Sequence, residues 1–503
     1  MPTELFTNNY TALNHRRIYI ILLGLLSLPL YAWDWWPVAV DHASSFTSDS
    51  LYYELQLTGV ASHGKYAPFW LQTNRQGDIA PAPYSGNLRV GILKPASQPH
   101  LWFDYDFALS LTQRRQSLSD AINPAVNRTA TGYFNLAYAH ARLYIMDITL
   151  GIRPEQYGCP DNDLTTGGLL YSYNAHPMPG VRIGIEQWTP FPGLYGYLEV
   201  KGGISHQWLA DNAYIKKGYV HHKWIGGRIG GKLPVNLSYE FHHVAQWGGY
   251  SPVYGDLGNN WHAFLNAFLV RSGGSMANDQ LNAQGNHIGS QILTLDVKGE
   301  GWKVSAYWQN LFEDGPIRFI GFGMNVPDGL WGINVTQTHW RYISGFTYEF
   351  LQTTDQSGPY HDRDGLAYGG ADNYYRNGIY RNGWNYFYHT LGNPFLTSPL
   401  YNADGTVYTQ NSMVQAHFAG IKGDIYGFRY RMLGSYVRNY GNTNIHPTLQ
   451  STNTALLLEV QKHVEKAWGL DFSLSLAADI GKQFGNQFGA MLTIRKQGLI
   501  TQW

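Results

Sequence analysis

The feature that most constrains this chain is a two-residue alternation that recurs in stretches of ten residues or more. In 101–111, Leu101, Phe103, Tyr105, Phe107, Leu109 and Leu111 share one parity, and Trp102, Asp104, Asp106, Ala108 and Ser110 the other. In 470–480, Leu470, Phe472, Leu474, Leu476, Ala478 and Ile480 alternate with Asp471, Ser473, Ser475 and Asp479. Met146, Ile148, Leu150 and Ile152 alternate with Asp147 and Thr149, and Val235, Leu237, Tyr239 and Phe241 with Asn236, Ser238 and Glu240. Successive side chains of a strand point to opposite faces, so each stretch reads as a strand with one apolar and one polar side. Fainter examples run over 194–204, 86–95, 290–298, 302–309, 343–351, 424–438 and 454–462.

Length completes the constraint. Strands of soluble proteins average ~5–6 residues, whereas a strand crossing a bilayer at a tilt needs about 9–11. Composition agrees with the second case. Charged residues are 14% of the 503 and aromatic residues 15%, which suits a wall that is apolar outward, polar inward and ringed by Tyr and Trp at both membrane interfaces. The expected fold is therefore all-β, a transmembrane antiparallel β-barrel. At roughly 25 residues per strand and connection, residues 33–503 give about 16–20 strands, an even number by the bacterial rule. No fixed-period repeat points to a solenoid or propeller.

The first residues carry an address. His15-Arg16-Arg17 precedes the apolar run Ile18–Leu28, and Pro29-Leu30-Tyr31-Ala32 closes it. A basic region, a short apolar region and a small residue form a secretory signal peptide. Residues 1–32 are assigned to it, 33–50 to a short periplasmic segment, and 51–503 to the barrel. Equal numbers of Lys+Arg and Asp+Glu, 35 each, exclude a nucleic-acid partner held by phosphate neutralisation.

Chemistry-bearing patterns are sparse. His221-His222 and His242-His243 lie in strand-like segments, where adjacent rings face opposite ways and cannot share one ion. Asp161-Asn162-Asp163 and His361-Asp362-Arg363-Asp364-Gly365 resemble pieces of a calcium loop but lack its closing Glu, and read as polar turns. No catalytic residue, metal or cofactor is expected, and Cys159 is expected to be inert. Two stretches break the alternation: 153–182, with Pro177 and Pro179, and 371–395, dense in Arg, Asn and aromatic residues. Rings that pack on sugar C–H faces, with amides and guanidinium groups for the hydroxyls, make the second a candidate glycan contact. A loop packed in the lumen, or an aromatic interface belt, accounts for the same composition.

At these residues the chain resembles the capsule assembly Wzi family of Gram-negative outer membranes. The similar stretches are Lys65–Arg75 (KYAPFWLQTNR), Leu164–Pro179, Glu313-Asp314-Gly315 running into Pro327-Asp328-Gly329-Leu330-Trp331-Gly332, and 372–384. The resemblance implies an 18-stranded barrel in the outer membrane, closed by loops, with a non-enzymatic role in binding or organising capsular or exopolysaccharide. Outer-membrane lipid and other outer-membrane proteins are the further expected partners. The family's periplasmic helical bundle has no counterpart here, since 33–50 is too short for one. Glycan contact is expected at Trp308, Glu313, Asp314, Arg376, Tyr380, Arg381 and Trp384. Tyr157, Asn174 and Arg182 are expected to hold the lumen together through hydrogen bonds to neighbouring strands. A diffusion porin for small solutes, an accessory barrel in a larger outer-membrane complex, and an outer-membrane enzyme acting on lipid or glycan are the competing expectations.

Overall fold

The structure is a computed structural model that describes residues 50–96, 103–273, 283–313, 328–356, 362–363, 366–367, 372–443 and 449–502. The expected signal peptide and nearly all of segment 33–50 lie outside them; Ser50 opens the first strand. Eighteen strands form one sheet. They are β1 (Ser50–His63), β2 (Tyr84–Lys94), β3 (Phe103–Gln116), β4 (Ala130–Leu143), β5 (Met146–Ile152), β6 (Pro179–Pro190), β7 (Leu198–Leu209), β8 (Gly218–Ile229) and β9 (Val235–Trp247), followed by β10 (Asn286–Gly299), β11 (Trp302–Glu313), β12 (Gly329–Gln337), β13 (Gly345–Gln352), β14 (Val414–Ile425), β15 (Phe428–Asn439), β16 (Ser451–Val464), β17 (Leu470–Gly481) and β18 (Gln487–Gln502). Each pairs antiparallel with the next in sequence, and β18 pairs back on β1 from Ser50↔Gln502 to His63↔Phe488. The eighteen-stranded sheet is closed, so among the described residues each of its strands has a partner on both sides, as a membrane-spanning sheet requires.

Side-chain exposure is the reverse of a soluble protein's. Along β3, Phe103, Tyr105, Leu109 and Leu111 are exposed while Asp104, Asp106, Ser110 and Thr112 are buried. On β5, Leu150 is 58% exposed and Asp147 1%. The outward parity faces lipid and the inward parity a polar lumen.

Two local readings change. The stretch 424–438 is not one strand: β14 ends at Ile425 and β15 starts at Phe428, with Tyr426 (φ 52°) and Gly427 (φ 76°) forming the left-handed pair that a two-residue hairpin needs. Residues 130–143 form a full strand whose alternation is broken in the sequence. Ser110 pairs with Leu136 and Leu111 with Phe134, so Asn135 is a bulge that shifts the inward parity from odd to even numbers.

The connections differ at the two ends. One end has the turns 144–145, 230–234, 300–301 and 426–427, and both chain ends of the sheet. The other has the loops 64–83, 117–129, 153–178, 248–285 and 353–413. Three of these long loops supply a buried cluster that includes Phe69, Trp70, Leu71, Leu164, Leu169, Tyr171, Tyr374, Tyr375, Trp384 and Phe395. Loop 64–83 contributes the short helix α1 (Phe69–Gln72), all four residues of which are buried. A nine-residue helix, α2 (Trp261–Leu269), sits in loop 248–285.

Candidate functional site

The three loops fold into the barrel and meet the inward face of its wall. From loop 64–83, the Phe69 N–H donates to Asp479 Oδ2 on β17 at 2.9 Å, and Trp70 Nε1 to Ser435 Oγ on β15 at 3.1 Å. Arg75 pairs with Glu459 on β16 at 2.7 Å, and Asp78 with Arg89 on β2. From loop 153–178, Glu349 on β13 collects the Thr165 hydroxyl (2.7 Å), the Thr166 N–H (2.7 Å) and the Thr166 hydroxyl (2.6 Å), besides the Tyr307 hydroxyl of β11 (2.6 Å). Four neutral donors around one buried carboxylate satisfy it without a cation. The Asp161–Asp163 turn receives Lys422 of β14 at 2.9 and 2.8 Å, so a lysine holds these carboxylates together.

Loop 353–413 locks the other two. Trp384 is fully buried and its Nε1 donates to the Leu170 carbonyl at 2.6 Å. Asn393 Nδ2 donates to Thr166 Oγ1 (2.9 Å) and the Gly167 carbonyl (2.8 Å). The Tyr375 hydroxyl donates to the Leu169 carbonyl, and a Cβ on Gly392 would collide with both groups, so glycine is required there.

The expected site residues fall into three places. Trp308 lies on the outward parity of β11 beside Trp331, ring centroids 5.6 Å apart, and is 5% exposed. Tyr380 is buried with its hydroxyl 3.3 Å from the Gly248 carbonyl. Trp384 is in the plug. None of these three offers an open ring face, so glycan stacking on them is corrected to packing: the ring and amide density of 371–395 builds a core as well as a surface. Glu313 ends β11 and accepts the Tyr375 N–H at 3.0 Å; Asp314 lies outside the described residues, as do His361, Asp364 and Gly365. Arg376 is half-buried and Arg381 exposed, each on a tyrosine, Tyr408 at 4.3 Å and Tyr214 at 5.8 Å. Burial draws the Arg376 guanidinium below its ordinary value.

Tyr157, Asn174 and Arg182 make three different kinds of contact. Tyr157 packs between Tyr171, His222, Trp224 and His242 and donates to Glu155 Oε2 at 3.1 Å. Asn174 donates to Thr390 and Ser398, which are loop rather than strand partners. Arg182 reaches inward from β6 to Glu155 and Glu186. His222 and His242 are lumen residues with ring nitrogens 3.1 Å apart, whereas His221 and His243 face outward. Cys159 Sγ lies 3.4 Å from the Thr165 hydroxyl oxygen, and burial pushes its thiol up to about 12.

Sequence reasoning passes over one surface feature. The hairpin Asn385-Tyr386/His389-Thr390 turns through Phe387 (φ 47°) and Tyr388 (φ 64°), two bulky residues in the left-handed region. Such a residue costs about 1–3 kcal/mol, and such strain clusters at ligand sites. Asp211 of loop 210–217 fixes the turn by accepting the Phe387 N–H at 2.9 Å, leaving Phe387 42% exposed at the long-loop end. Burial lifts the Asp211 carboxyl to about 6. No sequence signal marks the pair, since turn chemistry calls for Asn or Gly there.

No protein-family model matches the chain, and no curated protein matches it. Among solved structures it is similar to Wzi of Escherichia coli, an outer-membrane protein involved in group 1 capsule assembly and a carbohydrate-binding β-barrel, with a TM-score of 0.53 and 16% identity over 91% of this chain and 86% of that one. Looser likenesses are to OccK5 (OpdH) of Pseudomonas aeruginosa (TM-score 0.46, 10% identity, 91% and 99% covered) and a BenF-like porin of Pseudomonas fluorescens (0.43, 9%, 90% and 100%). The class is therefore an 18-stranded, closed, antiparallel transmembrane barrel of the outer-membrane type.

Proposed function

We propose that this protein is a surface-glycan-binding barrel of a Gram-negative outer membrane, exported by its N-terminal signal, and that it makes and breaks no bond. The long-loop end is extracellular, because outer-membrane barrels keep short turns on the periplasmic side. The observation that carries the reading is the plug: three loops that fill the lumen with a shared core and bond to the wall at Asp479, Ser435, Glu349 and Glu459. A lumen so filled is poorly suited to passing solute, and its outer surface presents Arg376, Arg381, Phe387 and Tyr388. The ligand is capsular or exopolysaccharide, taken up by weak sites that act together along the polymer. The likeness to Wzi supports this reading through the fold.

Two measurements on one detergent-folded sample test it. Polysaccharide from the source cell is expected to be retained in a pull-down, and planar bilayers to remain silent. An Arg376→Ala/Arg381→Ala/Phe387→Ala variant is expected to lose at least threefold in retention while its barrel stays heat-modifiable. Steady conductance steps without retention would replace the reading with a diffusion porin, which the ion pairs nearer the short-turn end would suit. Release of acyl chains or new reducing ends would replace it with an enzyme.

A further inference from the structure

Five polar or chargeable residues stand on the lipid-facing parity of four adjacent strands: His206 of β7, His221 and Lys223 of β8, His243 of β9 and His287 of β10. The register places His206 opposite His221 and Lys223 opposite His243, on the parity of exposed Trp208 and Ile225. A lipid-facing Lys costs up to about 2–4 kcal/mol in a barrel wall, less near the interfaces, so this patch needs a cover. Helix α2 supplies it. Phe264 packs on His206 and His221 (6.1 and 5.7 Å), and Phe268 on His221 (4.6 Å). Lys223 Nζ lies 4.8 Å from the Phe268 ring centre and donates to the Phe268 carbonyl, where the helix C-terminus favours a cation. Trp261 and Leu269 are exposed toward the surroundings.

The seat is built for neutral imidazoles. His221, His243 and His287 are buried, and His243 and His287 share a hydrogen bond of 3.1 Å. His221 Nε2 and His243 Nδ1 are buried without a hydrogen-bond partner among the described residues. The charged groups acting on His221, His243 and His287 are Lys223 and other histidines, all of one sign when charged. From the covering side come exposed His262 and Arg271; among the described residues of loop 248–285 the one carboxylate, Asp256, is taken up by the Gly258 N–H and Asn259 Nδ2. The helix ends in Val270 at φ 57°, a left-handed β-branched residue, so its docked form is also strained.

We propose that α2 is an acid-released latch on the outer wall: protonation of the imidazoles beneath it sets new cations beside Lys223, lifts the helix and uncovers a cationic patch level with the outer leaflet. A buried charge without a counter-charge is among the least tolerated groups in a protein, and an ordinary imidazole charges near pH 6.5.

Hydrogen exchange of the full-length barrel tests this on peptides spanning 260–271, with rates corrected for intrinsic pH dependence. Exchange is expected to quicken at least tenfold between pH 7.5 and pH 5.0, with the wall strands unchanged. A His221→Gln/His243→Gln/His287→Gln variant is expected to stay protected at both pH values. Protection of the natural chain at pH 5.0, or release of the triple variant there, would overturn the latch. Should the triple variant not give a heat-modifiable barrel, Lys223→Met carries the test: faster exchange of the same peptides at pH 7.5 supports the seat, and unchanged exchange overturns it.

Discussion

The two halves of the lumen solve the same problem in opposite ways. Both are lined by inward-facing polar side chains of the same sheet. In the half toward the short turns these groups pair with each other along the wall: Lys201 with Glu240 (2.7 Å), Arg228 with Glu199 (2.5 Å), and Arg142 with Asp147 (2.7 Å) beside His140. Trp188 lies under both Lys201 and Arg228, at 4.7 and 5.0 Å. In the half toward the long loops the wall bonds across the lumen to loop atoms, often neutral ones: Asp479 to a backbone N–H, Glu349 to two threonines, Gln309 to the Leu169 N–H. Toward the short turns a buried carboxylate is held by a cation of the same wall, whereas beneath the plug its lone pairs are filled by donors that the loops bring. Energy that ties the plug down is therefore concentrated in a few buried groups.

That contrast is broken most directly at Trp384. Trp384→Ala removes a fully buried indole of the plug and its hydrogen bond to Leu170, a loss of about 3–5 kcal/mol for a buried Trp. The expected outcome is conductance in planar bilayers from a barrel that is still heat-modifiable; a silent Trp384→Ala barrel would mean that the plug is not what closes the lumen. At least as costly is Glu349→Ala, which strands two threonine hydroxyls, a backbone N–H and the Tyr307 hydroxyl, about 1–3 kcal/mol for each group left buried and unpaired. Protease nicking of loop 153–178 should rise sharply. The matching change in the other half, Lys201→Ala, removes an ion pair that runs along the wall from β7 to β9 and should alter neither nicking of loop 153–178 nor conductance. Equal effects at Glu349 and Lys201 would erase the distinction between the halves.

How much of this is legible in the sequence follows from which interactions are local. Alternation is a property of neighbours in one strand, so β3, β5, β9 and β17 can be read directly, and strand length separates a membrane wall from a soluble sheet. Where one residue shifts the parity, as at Asn135, the pattern fails although the strand is intact, because the bulge answers to Thr112 and Asp78, which bond its side chain from far along the chain. The plug is farther from view. Its contacts join Phe69 to Asp479 and Asn393 to Thr166, and no local rule links such positions. The resemblance at 65–75, 164–179 and 372–384 marks the three loops, which the structure brings into one core, but it does not say which of their rings face inward. Composition alone sends Trp384 and Tyr380 to the surface; packing sends them to the core and leaves Phe387 outside.

The smallest expected effect sharpens the comparison at the surface of the plug, where two titrations oppose each other. His389 is buried in the hairpin 385–390, and burial, with Arg114 nearby, holds its imidazole down to about 3; His176 is likewise depressed by burial and by His389. The folded loop therefore favours neutral rings, so its stability is full above pH 6.5 and is lost as pH falls toward 3, by about 2 kcal/mol at pH 5 for His389. Asp211 runs the other way. Its carboxyl is raised to about 6, so the fold favours the protonated acid, and that contribution grows as pH falls through 6. Acid from pH 7.5 to 5 should thus loosen loop 353–413 only modestly, read as protease nicking within it. His389→Gln should flatten the dependence by removing the losing term. Asp211→Asn keeps an acceptor for the Phe387 N–H but removes the compensating proton, and should steepen it. A steeper profile in His389→Gln would reverse the assignment and place the acid-sensitive group elsewhere in the plug.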